Sequence, residues 1–421
     1  MLKRIVSYFH TLTLYPAARA MVTFQSERQR FKTMGQQPKV HFEASYEGQR
    51  IMLLALYEKG QLRPDVIRLI ETARAEGLYV LAVNTLKLSN PSMFEGMIDC
   101  YIERPNFGRD FGSYKTGFLH VFKNNWHETC QRLLMINDSI FFSSERMPKF
   151  LNDMMNSDIE VLGSTENYDM EYHLGSFCIA IAQSVLKQPS FQKYWHSYRL
   201  TDVRPRVIKR GELKLSKVLK SCVSKHSAFN ALYSASRFSS AIAADDNLLS
   251  FAITSVRTST IFAWKRASLK NVADEYRDRF AVPKLEMEKS PKSIEIAVKE
   301  YFDEVHVQTY SELKEFLKSR LSTNNISDEH LRRIMHAEFL ESFMSGSQIH
   351  QNASILIRLG LPIIKLDGLY RGIFSYEDMA RICEMLKDDE GHELGALLIS
   401  RPYGGRYLTG WKRAAFEAGL L

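Results

Sequence analysis

Arg104-Pro105-Asn106-Phe107-Gly108-Arg109-Asp110-Phe111-Gly112-Ser113-Tyr114-Lys115 and, further along, Leu133-Leu134-Met135-Ile136-Asn137-Asp138-Ser139 together decide how this chain is read. The second piece is four apolar residues that stop abruptly at three small polar ones. That is the pattern of a buried strand whose carboxyl end opens onto a crevice, where ligands of open α/β sheets bind. The first piece is a loop entering a helix over Phe111–Phe122. Polar and charged groups therefore collect at two neighbouring strand ends.

Outward from there, Ile51–Tyr57 predicts a strand and Glu58-Lys59-Gly60 a turn. Residues 63–74 predict a helix: Val66, Ile67, Ile70 and Ala73 share one face, Pro64 sits in the first turn and Gly77 follows the end. Tyr79–Val83 is a second strand, and this βαβ spacing predicts parallel pairing through a right-handed crossover. Further strands are expected at Met97–Tyr101, Leu133–Ile136, Ile159–Leu162 and Ser176–Ala182. Helices are expected at Pro148–Met155 and around Phe191, Tyr194 and Trp195. Strand and helix alternate without a GxGxxG turn, so the class is α/β, a doubly wound, mostly parallel sheet without the dinucleotide fingerprint.

A chain of 421 residues, 45% hydrophobic and 25% charged, is globular and long enough for two or three domains. Its organisation reads as an amphipathic leader over 1–40, an α/β domain over 41–200, a basic and largely helical segment over 201–280, and a helical C-terminal region over 281–421. In the last, 271–290 is a polar link, 293–321 and 328–343 are helices, and 350–365 is a helix ending at Gly360 followed by an extended segment. Five scattered cysteines with no CxxC pair favour a reducing compartment and argue against zinc. The apolar start breaks at His10, and no run reaches the roughly 20 apolar residues of a membrane span, so a cytoplasmic protein is expected.

The net charge of +8 is concentrated: Thr201–Lys270 holds 13 Lys and Arg against 4 Asp and Glu. Phe229, Tyr233, Phe238, Phe251, Ile261, Phe262 and Trp264 are interleaved with those charges. Such a segment suits an anionic membrane surface or a polyanion, or is a helical subdomain with a solvated basic face. No nucleic-acid module is visible, and nucleic acid is not expected as a partner.

Asp138 joins an ionisable group to a strand end. A carboxylate there can bind a hard divalent cation, magnesium or manganese, with Asn137 and Ser139 offering hydrogen bonds to sugar or phosphate. Taken alone, the triplet is better read as a turn after a strand. Arg109 before a helix can clamp phosphate and Asp110 can accept from ribose hydroxyls, or the two form a surface pair on a turn. His173 precedes an apolar strand and is either catalytic or a satisfied structural histidine. Glu212, acidic among lysines and arginines, is either a general base or a helix-start carboxylate.

In order and spacing, Tyr57–Gly60, the block from Asn106 to Lys115, Leu134–Ser139 and His173–Phe177, followed by Phe191 and Trp195, resemble the rhamnan synthesis protein F family. These are bacterial glycosyltransferases of rhamnose-containing surface polysaccharides. Asn352–Lys365, with Gly360-Leu361-Pro362-Ile363-Ile364-Lys365, resembles the family's C-terminal part. The resemblance implies a GT-A-like domain in which Asp138 holds the metal and the diphosphate. Tyr57, Asn106, Gly108, Arg109, Asp110, Asn137 and Ser139 would bind the donor nucleotide, His173 and Ser176 would line the sugar or acceptor side, and Glu212 would deprotonate the acceptor. The implied partners are a nucleoside diphosphate sugar and a lipid-linked polysaccharide. The alternatives are a non-catalytic scaffold of a synthesis complex or a sugar-phosphate transferase. Two departures from the family pattern stand out: Gly175 where Gln is common, and Glu58-Lys59 in place of a more acidic turn.

Overall fold

The computed structural model describes residues 13–255, 267–281, 307–320 and 326–421. The start of the leader, Ile261, Phe262 and Trp264, the second part of the polar link and the first part of the expected helix over 293–321 lie outside them.

The described chain divides into two compact units. The first comprises the chain up to Glu166, Glu171–Leu232 and Leu361–Leu421; the second comprises Asn167–Met170 and Tyr233–Gly360. At the centre of the first unit, four strands run parallel: β2 (Ile51–Leu56), β3 (Tyr79–Asn84), β4 (Cys100–Glu103) and β5 (Arg132–Asn137), in the order β4-β3-β2-β5. Every residue of β2, β3 and β5 is buried, which is why they read as continuous apolar runs rather than alternating ones. The expected third strand lies three residues later than its apolar pattern suggested, because 91–94 form a short helical turn and Asp99 caps β3, its carboxylate accepting from the Val80 N–H at 2.7 Å.

Beyond the parallel centre the sheet turns antiparallel. β1 (Lys39–Glu43) pairs antiparallel with β4, and β9 (Cys178–Ala182) pairs antiparallel with both β5 and β7 (Val161–Asn167). β8 (His173–Leu174) adds to β7, and β10 (Phe229–Tyr233) continues the sheet past it. β10 falls within the basic segment expected to be largely helical; its alternate residues Phe229, Ala231 and Tyr233 are buried, a half-covered strand. A two-stranded ladder pairs β6 (Ile140–Phe142) with β11 (Ile363–Lys365), which joins the C-terminal segment to the residues just after Asp138.

Helices cover both faces. We label them α1 (Tyr15–Thr33), α2 (Pro64–Ala75), α3 (Arg109–Lys123), α4 (Met147–Met155), α5 (Pro189–Ser197), α6 (Lys214–Cys222), α7 (Asp388–Ile399) and α8 (Gly410–Glu417). α3 and α5 share one core with Ile51, Leu53, Leu81 and Leu133, where Phe118 stacks on Trp195 at 4.6 Å. Gly117 permits this approach, since a Cβ there would meet Leu53 at 2.2 Å. α2 and α4 pack together with β3 and β6. α8 closes on α1 through Ala18, Val22, Ala415 and Leu420.

The second unit is helical, with Ala235–Ala244, Asp246–Thr254, Leu269–Tyr276, Tyr310–Arg320 and Asp328–Phe343 as its main described elements. Phe238 stacks on Phe343 at 4.4 Å, and Ser327 caps the last of these helices by accepting from the His330 N–H.

Candidate functional site

β2 lies between β3 and β5. The chain leaves β2 for α2, and reaches β5 after α3, which packs on the core that Ile51 and Leu53 face. That reversal of winding makes the carboxyl ends of β2 and β5 the topological switch point, where an open α/β sheet leaves a crevice. Asp138 sits there. Its N–H donates to the Ala55 carbonyl at 3.1 Å, its carboxylate accepts from the Tyr57 N–H, and its carbonyl accepts from Arg63 Nη1 at 2.9 Å. Arg63 is held in turn by both oxygens of Asp65, at 2.9 and 3.0 Å.

Glu58 faces the same group. It is 8% exposed and fixed by a reciprocal pair of backbone bonds to Asn84, at 3.1 and 2.9 Å. Burial, then the adjacent Asp138 carboxylate, push its carboxyl up to about 7, against the pull of Arg63 3.5 Å away. Burial also raises Asp138, to about 6, although the Tyr57 N–H and Arg63 favour its charged form.

The loop before α3 is built by Arg104. This buried guanidinium donates to Ser113 Oγ at 2.8 Å and to the carbonyls of Pro105, Phe107 and Arg109, so it ties the loop to the helix it leads into. Gly108 turns the chain at φ +94, a left-handed conformation that favours glycine, and its N–H donates to Asp202 at 2.7 Å. Arg109 Nε donates to the Asp202 carbonyl at 2.9 Å.

A chain of hydrogen bonds then crosses the crevice. Lys365 Nζ donates to Ser139 Oγ at 2.7 Å, Ser139 Oγ donates to Asn137 Oδ1, and Asn137 Nδ2 donates to Asp110 at 3.0 Å. Burial and the charge of Glu212 raise the Asp110 carboxyl, opposed by Lys365 and Arg109. Glu212 lies in a π-type turn over Ile208–Leu213, 3.8 Å from His173 Nε2, too far for a hydrogen bond. Burial would raise Glu212, but His173, Lys365 and Arg204 together outweigh it and hold the carboxyl below its ordinary value. His173 is buried, its Nδ1 against the Glu171 carbonyl at 2.7 Å, and its Nε2 has no hydrogen-bond partner.

Of the residues singled out in the sequence, Asp110, Asn137 and Ser139 are thus joined directly, Asp138 meets the backbone of Tyr57, and His173 meets Glu212. The Tyr57 side chain itself is exposed. Asn106 is turned toward α1, its carbonyl accepting from Gln29 Nε2 at 2.9 Å. Ser176 is buried, and its carbonyl accepts from Tyr114. Sequence reading passed over Glu58, Arg63, Arg204 and Lys365. For Lys365 a signal existed: a short apolar strand, Pro362-Ile363-Ile364, ends on one charged residue, as Leu133–Ile136 ends on Asn137-Asp138-Ser139.

The paired carboxyl groups of Asp138 and Glu58 offer hard oxygen donors whose crowding a divalent cation would relieve, so this donor set fits magnesium or manganese. A second group, Glu43, Cys100 and His120, also brings three candidate ligand atoms within 4.8 Å of one another. It is satisfied without a metal: Glu43 accepts from His120 Nε2 at 2.6 Å, and burial drives the Cys100 thiol far up, leaving it a neutral and poor ligand.

Residues 78–262 match the family RgpF, rhamnan synthesis protein F. This is the resemblance carried by the Asn106, Asp138 and His173 blocks, all of which fall inside the match. The chain is 26% identical over 171 residues to the uncharacterized protein y4gN of Sinorhizobium fredii, covering 39% of this chain and 44% of that protein. It is 30% identical over 119 residues to the virulence protein VirA of Vibrio anguillarum, covering 28% of this chain and 38% of that one. The chain therefore spans less than half the length of these relatives. Among solved structures, the glycosyltransferase GlyE of Streptococcus pneumoniae TIGR4 aligns over 66% of each chain at 13% identity, with a TM-score of 0.22, too low to bear on the argument. Among the described residues no helix is long and apolar enough to cross a membrane.

Proposed function

We propose that this chain is a glycosyltransferase with a GT-A-like sugar-nucleotide domain. It moves rhamnose or a related sugar from a nucleoside diphosphate donor onto a growing, lipid-linked surface polysaccharide. The family match supports the reaction class, and the observation that carries the reading is Glu212. It is a carboxylate kept ionised by neighbouring cations, in the crevice that also holds Asp110 and is linked through Asn137 to the Asp138 turn.

In this reading Tyr57, Asn106, Gly108, Arg109, Asp110, Asn137 and Ser139 contact the donor, and His173 and Ser176 border the sugar and acceptor. Glu212 accepts the acceptor hydroxyl's proton as that oxygen attacks the anomeric carbon. The bond from that carbon to the diphosphate oxygen breaks, and the diphosphate departs with the negative charge. A single displacement of this kind inverts the anomeric centre. A divalent cation held by Asp138 and Glu58 supplies positive charge to the diphosphate when bound. His173 helps keep Glu212 charged, and the Asn137–Asp110 bond fixes the wall against which the donor lies.

α1 supports attachment to the cytoplasmic face of a membrane. Met21, Phe24 and Phe31 are exposed along it beside Arg19, Arg28, Arg30 and Lys32.

A screen of nucleoside diphosphate sugars against the purified chain, read by diphosphate release, tests the reading. Glu212→Gln should lower kcat about 100-fold or more, the usual share of a general base, and leave diphosphate affinity intact. An unchanged rate would remove Glu212 from the chemistry. Intact diphosphate binding with no turnover of any donor would instead indicate a non-catalytic member of a synthesis complex.

A further inference from the structure

Between Arg204 and Lys225 stand eight Lys and Arg and one acidic residue, Glu212. In the turn over Ile208–Leu213 and the helix α6 that follows it, side chains are sorted by face. Leu215, Ser216, Leu219 and Cys222 are buried, whereas Lys209, Arg210, Lys214 and Lys217 are exposed. Arg210, Lys214 and Lys217 succeed one another at the spacing of one helical turn, so they form a row along the outer face. Among the described residues Lys209, Arg210 and Lys214 have no carboxylate within ion-pair distance, while Lys217 pairs with Glu171 at 2.8 Å.

The row borders the crevice. Three contacts tie it to Glu171-Tyr172-His173: His173 Nε2 lies 3.8 Å from Glu212, Glu171 meets Lys217, and Lys220 Nζ sits 4.4 Å from the centre of the Tyr172 ring. The cationic face is therefore continuous with the side on which His173 meets Glu212. Like charges at these spacings repel one another, and a chain of anionic groups laid along the face offsets that repulsion. From Arg210 to Lys217 the row spans about 10 Å at the rise of a helix, enough to meet successive anionic groups rather than one. A bilayer suits it less well. Helices that lie in a lipid interface bring large apolar side chains to it, as α1 offers Phe24 and Phe31, and between Glu171 and Lys225 no large apolar side chain is exposed.

We propose that the face formed by Lys209, Arg210, Lys214 and Lys217 holds the acceptor, and that this acceptor is an anionic polysaccharide, with carboxylate or phosphodiester groups repeated along its chain. This rests on the glycosyltransferase reading for taking the Glu212–His173 side as the acceptor side. The cations hold the body of the chain by charge, and its terminal sugar reaches Glu212.

Fluorescence anisotropy of the whole protein with a fluorescein-labelled polygalacturonate oligosaccharide tests this, with labelled dextran as the uncharged probe. Polygalacturonate should bind about tenfold or more tightly than dextran, and its affinity should fall as salt rises. Arg210→Gln, Lys214→Gln and Lys217→Gln together should weaken it about tenfold or more, since one Lys or Arg beside an anionic surface is worth about fivefold. Removing the same charge elsewhere, by Lys123→Gln, Lys149→Gln and Lys412→Gln together, should leave the affinity at the wild-type value. All of these side chains are exposed, so both variants should keep the wild-type melting temperature. Equal binding of dextran, an equal loss in the charge-matched variant, or retained affinity in the row variant overturns the proposal. If the row variant keeps polygalacturonate and has instead lost binding to phosphatidylglycerol vesicles, the face belongs to a lipid surface. None of these readouts involves sugar transfer, so the proposal can fail while diphosphate release from a donor stands, and the reverse.

Discussion

At the scale of single residues, the crevice is a place where carboxyl groups are held away from their ordinary ionisation. Glu58 is the clearest case, raised from 4.5 to about 7 by burial and by Asp138. Across that window the folded protein keeps a proton that the unfolded chain has lost. Stability therefore falls as the pH rises from about 4.5 to about 7, and the cost is full above it. Glu58→Gln keeps the size and removes the charge, so it should raise the unfolding free energy at pH 8 by on the order of 2 kcal/mol, since a tenfold change in proton affinity is worth about 1.4 kcal/mol. The gain should shrink toward zero by pH 5, and urea unfolding at the two pH values measures it. A gain equal at both pH values would mean that Glu58 is not the titrating group. Asp138 and Asp110 were legible in the sequence because small polar residues follow an apolar run or precede a helix. Glu58 was not, because a carboxylate in a Glu-Lys-Gly turn looks solvated, and its burial depends on Asn84 at the end of β3 and Asp138 after β5 coming beside it.

The strands and helices that alternate through the first half of the chain were legible for the same reason that they fold. β2, β3 and β5 are buried on both faces and must be apolar throughout, while α2 and α3 carry one apolar stripe each. β1, β8 and β10 escaped because they are short, polar on one side, or antiparallel additions whose pattern depends on neighbours distant in sequence. α1 stands between these cases: an amphipathic leader was expected, and a helix is found. Phe24 and Phe31 are 65% and 68% exposed on it, although such side chains gain from leaving water. Four basic residues and one acidic one lie in the same helix, and the attachment proposed above would set both features against an anionic lipid surface. Phe24→Asp together with Phe31→Asp should reduce co-sedimentation with vesicles containing anionic lipid about tenfold or more, judged from the apolar area withdrawn. Binding should also weaken as salt rises. Retention of vesicle binding by the double variant would exclude α1 as the attachment.

At the scale of the whole molecule, the chain leaves the first unit at Leu232 and comes back to it at Leu361. No local pattern announces that return. Gly360-Leu361-Pro362 reads as the end of a helix in a C-terminal region, and its destination depends on a ladder between β11 and β6, far apart in sequence. What returns is structural and chemical at once. Ile363 and Ile364 are buried in the ladder. Glu390 of α7 accepts from Ser143 Oγ at 2.7 Å and from the Ser144 N–H at 3.0 Å, and Glu393 pairs with Arg68 at 2.7 Å. The same segment delivers Lys365 to the crevice, where its Nζ donates to Ser139 Oγ at 2.7 Å. A chain ending at Gly360 should therefore lose much of its stability. The faces of α1 and β6 that Ala415 and Ile364 cover would meet water, and at about 25 cal/mol per Å² their exposure costs several kcal/mol, comparable with a domain's whole stability. The shortened protein should bind the dye ANS and melt at a lower temperature. Supplying residues 361–421 as a separate co-expressed fragment should reverse both changes, because the contacts are non-covalent. If the shortened chain kept a native melting temperature and bound no ANS, the structural role given to this segment would not stand.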